Sequence, residues 1–315
     1  MKIIEELEGA KTIGISGHVR PDGDCIGSVM GLYLYLRKAL PKVQTDIYLE
    51  QPADIFHCIQ DTDKICSDFE TDKKYDVFVA LDCNAERLGG VELLYERAGK
   101  RINIDHHISN PGCGDVNVIE PEKSSTCEVL YELLDEAWID VEIAKALYIG
   151  IVHDTGVFRY SNTSPETLRI AARLIAFGFD FPKLIDETFY EKTYVQSQIM
   201  GRAILESIRF LDGRCIVSRV DKKMLDFYQV GPKDLDGIIN QLRIVKGVEC
   251  AIFMYETNPM EYKVSMRSNG KVDVAAIALQ FGGGGHVRAA GCTMKGTYHD
   301  AINNLSLHIE EQLEG

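Results

Sequence analysis

Four short stretches of the 315-residue chain set carboxylates and imidazoles beside residues that bend or end regular structure. The first, His18-Val-Arg-Pro21-Asp22-Gly23-Asp24, gathers one imidazole and two carboxylates on a turn that Pro21 and Gly23 tighten. Asp22 and Asp24 can equally cap a helix starting near Cys25, a common task for aspartate. Asp82 closes the apolar run that begins at Tyr75, and Asp105-His106-His107 follows another strand-like run. Adjacent histidines on irregular backbone point in different directions, so one can ligate while its neighbour faces a ligand. In Ile151-Val-His153-Asp154-Thr155-Gly156 a helical pattern runs into a carboxylate and a glycine, as at an ordinary helix end.

Taken together, His18, Asp22, Asp24, Asp82, His106 and Asp154 all fall at or beyond the ends of expected elements. Their carboxylates and imidazoles suit hard-to-borderline octahedral cations, Mn²⁺ above all and Mg²⁺ next, rather than the sulfur-rich sites of structural zinc. So many acids in one place repel one another unless cations sit among them. Two metals about 3.5–4 Å apart, bridged by a shared carboxylate, are the usual arrangement for in-line hydrolysis of phosphate esters.

A fifth feature is Phe281-Gly282-Gly283-Gly284-Gly285-His286-Val-Arg288. Consecutive glycines expose backbone N–H groups that can approach an anion without Cβ hindrance, and His286 and Arg288 stand beside them. The loop matches neither a dinucleotide fingerprint nor a Walker loop, and no Gly-Lys-Ser/Thr occurs in the chain. Arg267 is a further basic candidate that reads equally well as a surface charge.

The elements that must position these residues alternate. Thr12–Ser16, Val77–Leu81 and Arg101–Ile104 read as strands, and Ile26–Leu40 and Glu142–Val152 as helices. Alternation of this kind predicts an α/β unit with a mostly parallel sheet, which places ligands at the carboxyl ends of its strands. A helix stop and turn fall at Ala176–Pro182, and Lys183–Phe210 reads as a helical connector with Gly201 its only breaker. Strands near Cys215–Val220, Ala251–Glu256 and Tyr262–Ser268, with a closing helix from about His299, predict a smaller α+β unit. The expected division is therefore 1–182, a connector over 183–212, and 213–315.

Composition sets outer bounds. A formal charge of −14, 45% hydrophobic and 26% charged residues describe a globular protein and exclude disorder and collagen. The acid excess lies in 1–212, since 213–315 carry 12 basic and 12 acidic residues. That balance disfavours non-specific binding to duplex DNA or a membrane surface. The absence of a long apolar run and of a basic leader predicts a cytoplasmic protein, and the nine cysteines, an odd number without CxxC spacing, read as reduced packing residues.

His18-x-x-Pro-Asp22-x-Asp24, Asp82, Asp105-His106-His107 and Asp154, followed by Gly-Gly-Gly-Gly-His286, resemble the DHH phosphoesterase superfamily with the type 1 DHH-associated domain. Size and motif spacing are most similar to its nano-RNase/pAp phosphatase branch. The resemblance covers nearly the whole chain, with Cys25 and Cys83 standing where the family usually has small or hydroxyl residues. It implies that His18, Asp22 and Asp82 hold one Mn²⁺ and that Asp24, Asp82, His106 and Asp154 hold the other. His107 would face the scissile phosphate and Asp105 would orient its neighbouring histidine, while Arg267, Gly282, Gly283, Gly284, Gly285 and His286 would bind the rest of the nucleotide. The implied activity is hydrolysis of di- to pentanucleotides to mononucleotides, and of 3′-phosphoadenosine 5′-phosphate to AMP, and the resemblance also implies a homodimer. Alternatives are a cyclic-dinucleotide phosphodiesterase and a catalytically silent nucleotide sensor or RNA-interaction protein. Long duplex DNA and membranes are not expected partners.

Overall fold

Segments too short for helices and carrying β-branched residues form the strands of the first unit, Val77–Leu81 as an unbroken apolar run. They are β1 (Thr12–Ser16), β2 (Gln44–Tyr48), β3 (Val77–Leu81), β4 (Lys100–Asp105) and β5 (Val116–Ile119), in a computed structural model that describes residues 2–314. Contacts divide the chain into one unit ending at Glu191 and another beginning at Lys192.

In the first unit the order is β2-β1-β3-β4-β5 and every pairing is parallel. The chain turns one way from β1 to β2 and the other way from β3 to β4. The carboxyl ends of β1 and β3 therefore flank the switch point where open parallel sheets bind ligands. Its helices are α1 (Ile3–Glu6), α2 (Gly23–Ala39), α3 (Glu92–Glu96), α4 (Thr126–Leu133), α5 (Val141–Asp154), α6 (Pro165–Ile175) and α7 (Phe181–Ile185). Helix α2 is buried from Gly23 to Leu36 and packs on α5 at main-chain range. A Cβ added at Gly27 would stand 2.6 Å from the Ala146 carbonyl oxygen, so only glycine permits that approach.

The run Lys183–Phe210 is not one helix. A π-helical turn at Asp186–Tyr190 follows α7, the chain extends at Glu191, and α8 (Tyr194–Leu205) begins anew. The reason is legible: Thr193 and Gln196 form a capping box that starts a helix at Tyr194.

The second unit is a six-stranded sheet of β6 (Ile208–Phe210), β7 (Cys215–Val220), β8 (Cys250–Asn258), β9 (Glu261–Ser268), β10 (Gly284–His286) and β11 (Ala289–Lys295), in the order β10-β11-β9-β8-β7-β6. In this sheet, among the described residues, only β7 and β8 pair in parallel. Helices α9 (Lys222–Tyr228), α10 (Ile238–Arg243), α11 (Val274–Gln280) and α12 (Tyr298–Glu314) complete it. Val264, Met266, Ile277, Leu305 and Ile309 form one core, and Ile199, Ile238, Leu242 and Phe253 another. Among the described residues all nine cysteines are free, and no helix is long and apolar enough to cross a membrane.

Candidate metal centre

His18 lies just beyond β1, and its Nδ1 is 2.9 Å from the Val19 carbonyl oxygen. That contact makes Nδ1 the donor and turns Nε2, as the acceptor, toward Asp82 Oδ2 at 3.3 Å and Asp22 Oδ1 at 3.6 Å. Asp22 also caps α2, accepting the N–H groups of Asp24 and Cys25 at 3.1 Å each, so both roles considered for it are compatible. Asp24 caps nothing in its own helix. It is buried, and its two oxygens accept N–H groups from the first turn of α4, Thr126 at 2.6 Å and Cys127 at 2.9 Å.

His106 repeats the pattern of His18. Its Nδ1 lies 3.4 Å from the Lys123 carbonyl oxygen, while Nε2 faces Asp154 Oδ2 at 3.1 Å, Asp82 Oδ1 at 3.8 Å and Asp24 Oδ2 at 3.9 Å. Asp82 thus offers one oxygen to each group, Oδ2 toward His18 and Oδ1 toward His106. Thr126 Oγ1 donates to that second oxygen at 2.9 Å. The backbone around these side chains is held in sparsely populated conformations: Arg20 and Asp82 have φ of 58° and 61°, and Val157 and Phe158, just past Asp154, have 58° and 62°. A β-branched residue in that region is a genuine outlier, and such strain of about 1–3 kcal/mol per residue persists where the surroundings over-determine it.

Electrostatics show what this end of the sheet requires. Burial, then the Asp82 and Asp154 charges, hold the Asp24 carboxyl well above the usual carboxylate range. Burial also raises Asp154. Burial lowers His106, but Asp154, Asp24 and Asp82 raise it more, to about 10. The group is short of positive charge. In addition, His106 Nε2 is a buried nitrogen with no hydrogen-bond partner, although carboxylate oxygens surround it. A divalent cation answers both conditions, supplying the charge and accepting the lone pair, and the oxygen and imidazole donors fit Mg²⁺ or Mn²⁺.

His107 differs from His18 and His106 in that Nδ1 faces the carboxylates, with Asp82 Oδ1 at 3.5 Å. Its Nδ1 is 2.7 Å from Asp105 Oδ1, and that oxygen also accepts the N–H groups of His106 at 2.7 Å and His107 at 3.0 Å. Burial pushes the Asp105 carboxyl up, but the His107 side chain, Asn110 and the backbone donors more than offset this and hold it low. His107 is raised, chiefly by Asp105.

Several positioning residues were not evident from sequence motifs. Thr126 and Cys127 grip Asp24, and Asn162 Nδ2 joins the carbonyls of Ser124 at 2.9 Å and Asp154 at 3.2 Å. Gly150 leaves room for the acid itself, since a Cβ there would lie 2.7 Å from Asp24 Oδ1. Their signal is tertiary; only an N-cap at Ser125 ahead of Glu128 could have flagged the start of α4.

In the second unit the four glycines are not a uniform loop. The N–H of Gly282 donates to Leu279 and that of Gly283 to Ala278, with Gly282 at φ +70°, the Schellman stop of α11. Those two N–H groups are therefore committed to helix carbonyls, which corrects the expectation that the whole run is open to an anion. Gly284, Gly285 and His286 form β10 and are exposed. Arg267 and His286 both pair with Ala289, so they share one row and one face across β9, β11 and β10, with a methyl group between them.

Two family models match the chain: the DHH family, N-terminal domain, over residues 12–151, and the DHHA1 domain over 212–315. The bifunctional oligoribonuclease and PAP phosphatase NrnA of Thermus thermophilus is 35% identical, over 99% of this chain and 93% of its own. Its Bacillus subtilis counterpart is 27% identical over 93% and 92%. Among solved structures, an exopolyphosphatase-related protein from Bacteroides fragilis superposes with a TM-score of 0.88 at 26% identity, covering 98% of this chain and 94% of that one.

Proposed function

The chain belongs to the DHH family of metal-dependent phosphoesterases, and from that premise we propose that it hydrolyses short oligonucleotides to mononucleotides and 3′-phosphoadenosine 5′-phosphate to AMP. One observation carries the reading: Asp82 presents one oxygen to the His18 group and the other to the His106 group. We assign His18, Asp22 and Asp82 to one Mn²⁺, and Asp24, Asp82, His106 and Asp154 to a second. When bound, such a cation pair supplies Lewis-acid activation of water and neutralisation of charge at phosphorus.

The chain's own groups do the rest. Nδ1–H contacts with the Val19 and Lys123 carbonyls fix His18 and His106 with Nε2 toward the carboxylates. The first turn of α4 holds Asp24, and its Thr126 hydroxyl holds Asp82, before substrate arrives. His107, oriented through Nδ1 by Asp105, directs Nε2 at the phosphate and stabilises charge that develops on its oxygens. Arg267 and His286, in one row with Gly284 and Gly285 beside them, are the second unit's candidates for binding nucleotide. The acid excess of residues 1–212 repels long polyanions while a substrate of two to five nucleotides is small enough to be held locally. Reduced cysteines and the nucleotide substrates fit a cytoplasmic protein.

The test is hydrolysis by the purified protein with Mn²⁺ or Mg²⁺, side by side on a 5′-phosphorylated dinucleotide, a longer single strand, 3′-phosphoadenosine 5′-phosphate and cyclic di-AMP, with Asp82→Ala as control. Cleavage of the dinucleotide and the bisphosphate that vanishes in the control is expected. Cleavage of cyclic di-AMP alone would move the assignment to a cyclic-dinucleotide phosphodiesterase, and binding without cleavage to a sensor.

A further inference from the structure

Strand β4 lies between β3 and β5, and residues 102–105 are buried, yet its second buried position is Asn103. An amide enclosed in a parallel sheet must find partners for all its polar atoms. Asn103 Nδ2 donates to the carbonyls of Ala80 at 3.3 Å and Cys83 at 2.8 Å, the second belonging to the residue directly after Asp82. Its Oδ1 accepts from Asn110 Nδ2 at 3.0 Å. Asn110 Nδ2 gives its other hydrogen to Asp105 Oδ2 at 2.6 Å, and Asn110 Oδ1 accepts the Gly112 N–H at 2.9 Å. Neither amide can flip without setting oxygen against oxygen, so the orientation of each is fixed by the other.

The result is a continuous buried chain. It starts at the Cys83 carbonyl behind Asp82, passes through Asn103, Asn110 and Asp105, and ends at His107 Nδ1. Asp105 is fully buried and is clamped from both sides, its Oδ1 by N–H groups of the two histidines and its Oδ2 by Asn110. A carboxylate so held leaves His107 one way to sit.

We propose that Asn103 and Asn110 are positioning residues for hydrolysis, holding Asp105 so that His107 keeps its Nδ1–H tautomer and a fixed place relative to the Asp82 turn. Neither asparagine is among the assigned cation ligands or the substrate-binding residues, so their effect falls on the chemical step. The kinetic part of this inference rests on the phosphoesterase reading.

Two substitutions separate hydrogen bonding from packing. Asn110→Leu keeps the branched heavy-atom outline, somewhat enlarged, and removes the donor, and Asn110→Ser shrinks the side chain but keeps a donor. The full chain and both variants are assayed with Mn²⁺ on the 5′-phosphorylated dinucleotide, Mn²⁺ affinity is measured by calorimetry, and the His107 ring tautomer is read by ¹⁵N NMR of the cation-free protein at one pH. We expect Asn110→Leu to lower kcat about 10- to 100-fold, with KM and Mn²⁺ affinity changed less than about twofold and His107 shifted to mixed tautomers. Asn110→Ser should retain more activity than Asn110→Leu. A leucine variant at least as active as the serine variant, a parallel loss of Mn²⁺ affinity, or an unchanged His107 tautomer in Asn110→Leu overturns the proposal. If Asn110→Leu does not fold, Asn110→Ala against Asn110→Ser makes the same comparison. A wild type that cleaves nothing overturns the functional reading, and the tautomer measurement then decides the proposal alone.

Discussion

The carboxyl end of the parallel sheet and the β10–β11 hairpin carry polar side chains in opposite ways. At the sheet end His18, Asp24, Asp82 and Asp105 are at most 3% exposed, each already bonded to neighbouring groups on backbone that is partly strained. On the hairpin Gly284, Gly285 and His286 are exposed, on an outermost strand whose backbone is built for close approach to β11. The contrast separates two tasks. Groups desolvated and oriented beforehand lose no reorganisation energy when charge develops, which is what a chemical step rewards. Exposed groups on an edge strand keep their water until a ligand displaces it, and so contribute to binding in ground and transition state alike.

The largest expected effect breaks the first region outright. Asp82→Ala removes the carboxylate whose two oxygens face the two histidine groups and should reduce hydrolysis at least about 10³-fold, measured on the dinucleotide, since several kcal/mol of charge stabilisation are lost. Chelation tests the charge deficit. Removing the cation from a site kept at about a hundred times its Kd forgoes about 2.7 kcal/mol, so the melting of the first unit should fall by about 5–10 °C while second-unit amides keep their exchange protection. A smaller effect is expected for Gly150→Ala, whose new methyl crowds both Cys127 Sγ and Asp24 Oδ1. Cation affinity by calorimetry should drop about tenfold and stability by about 1–3 kcal/mol. For the hairpin and the β9 residue in its row, His286→Ala or Arg267→Ala should raise KM about tenfold with kcat nearly unchanged, the mark of uniform binding. The smallest effect is reserved for Gly284→Ala, where a Cβ meets open space, and its stability should stay within about 0.5 kcal/mol of wild type. A change in kcat from the hairpin variants would erase the distinction between the two regions.

The acids and histidines that the structure gathers at the sheet end were legible because their spacing around turns is local, and because strand ends can be read from apolar runs such as Val77–Leu81. Asp22 shows why motif logic alone leaves two answers: it is both a cap and a neighbour of His18. Asp24 shows the limit in the other direction. Its partners Thr126 and Cys127 lie about a hundred residues away, and no local pattern announces them. Asn103 did leave a signal, a lone amide between Ile102 and Ile104 in a strand expected to be apolar on both faces. The connector was misread because Gly201, in the middle of α8, looked like the breaker, whereas the break is the capping box at Thr193. In the glycine run, composition revealed backbone exposure but could not show that two of the N–H groups end a helix.

The close approach of α2 and α5 has a bearing on size. Gly27 lies against the main chain of Ala146 and Gly150, so the helix whose first turn carries Asp24 and the helix that ends with Asp154 meet backbone to backbone. Side chains that interdigitate can repack by changing rotamers; peptide groups in contact cannot. The span between these two carboxylates is thus gauged by the skeleton of the protein. Any ion lodged between them is measured against a rigid calliper, and one of the wrong radius must distort a helix pair to stay.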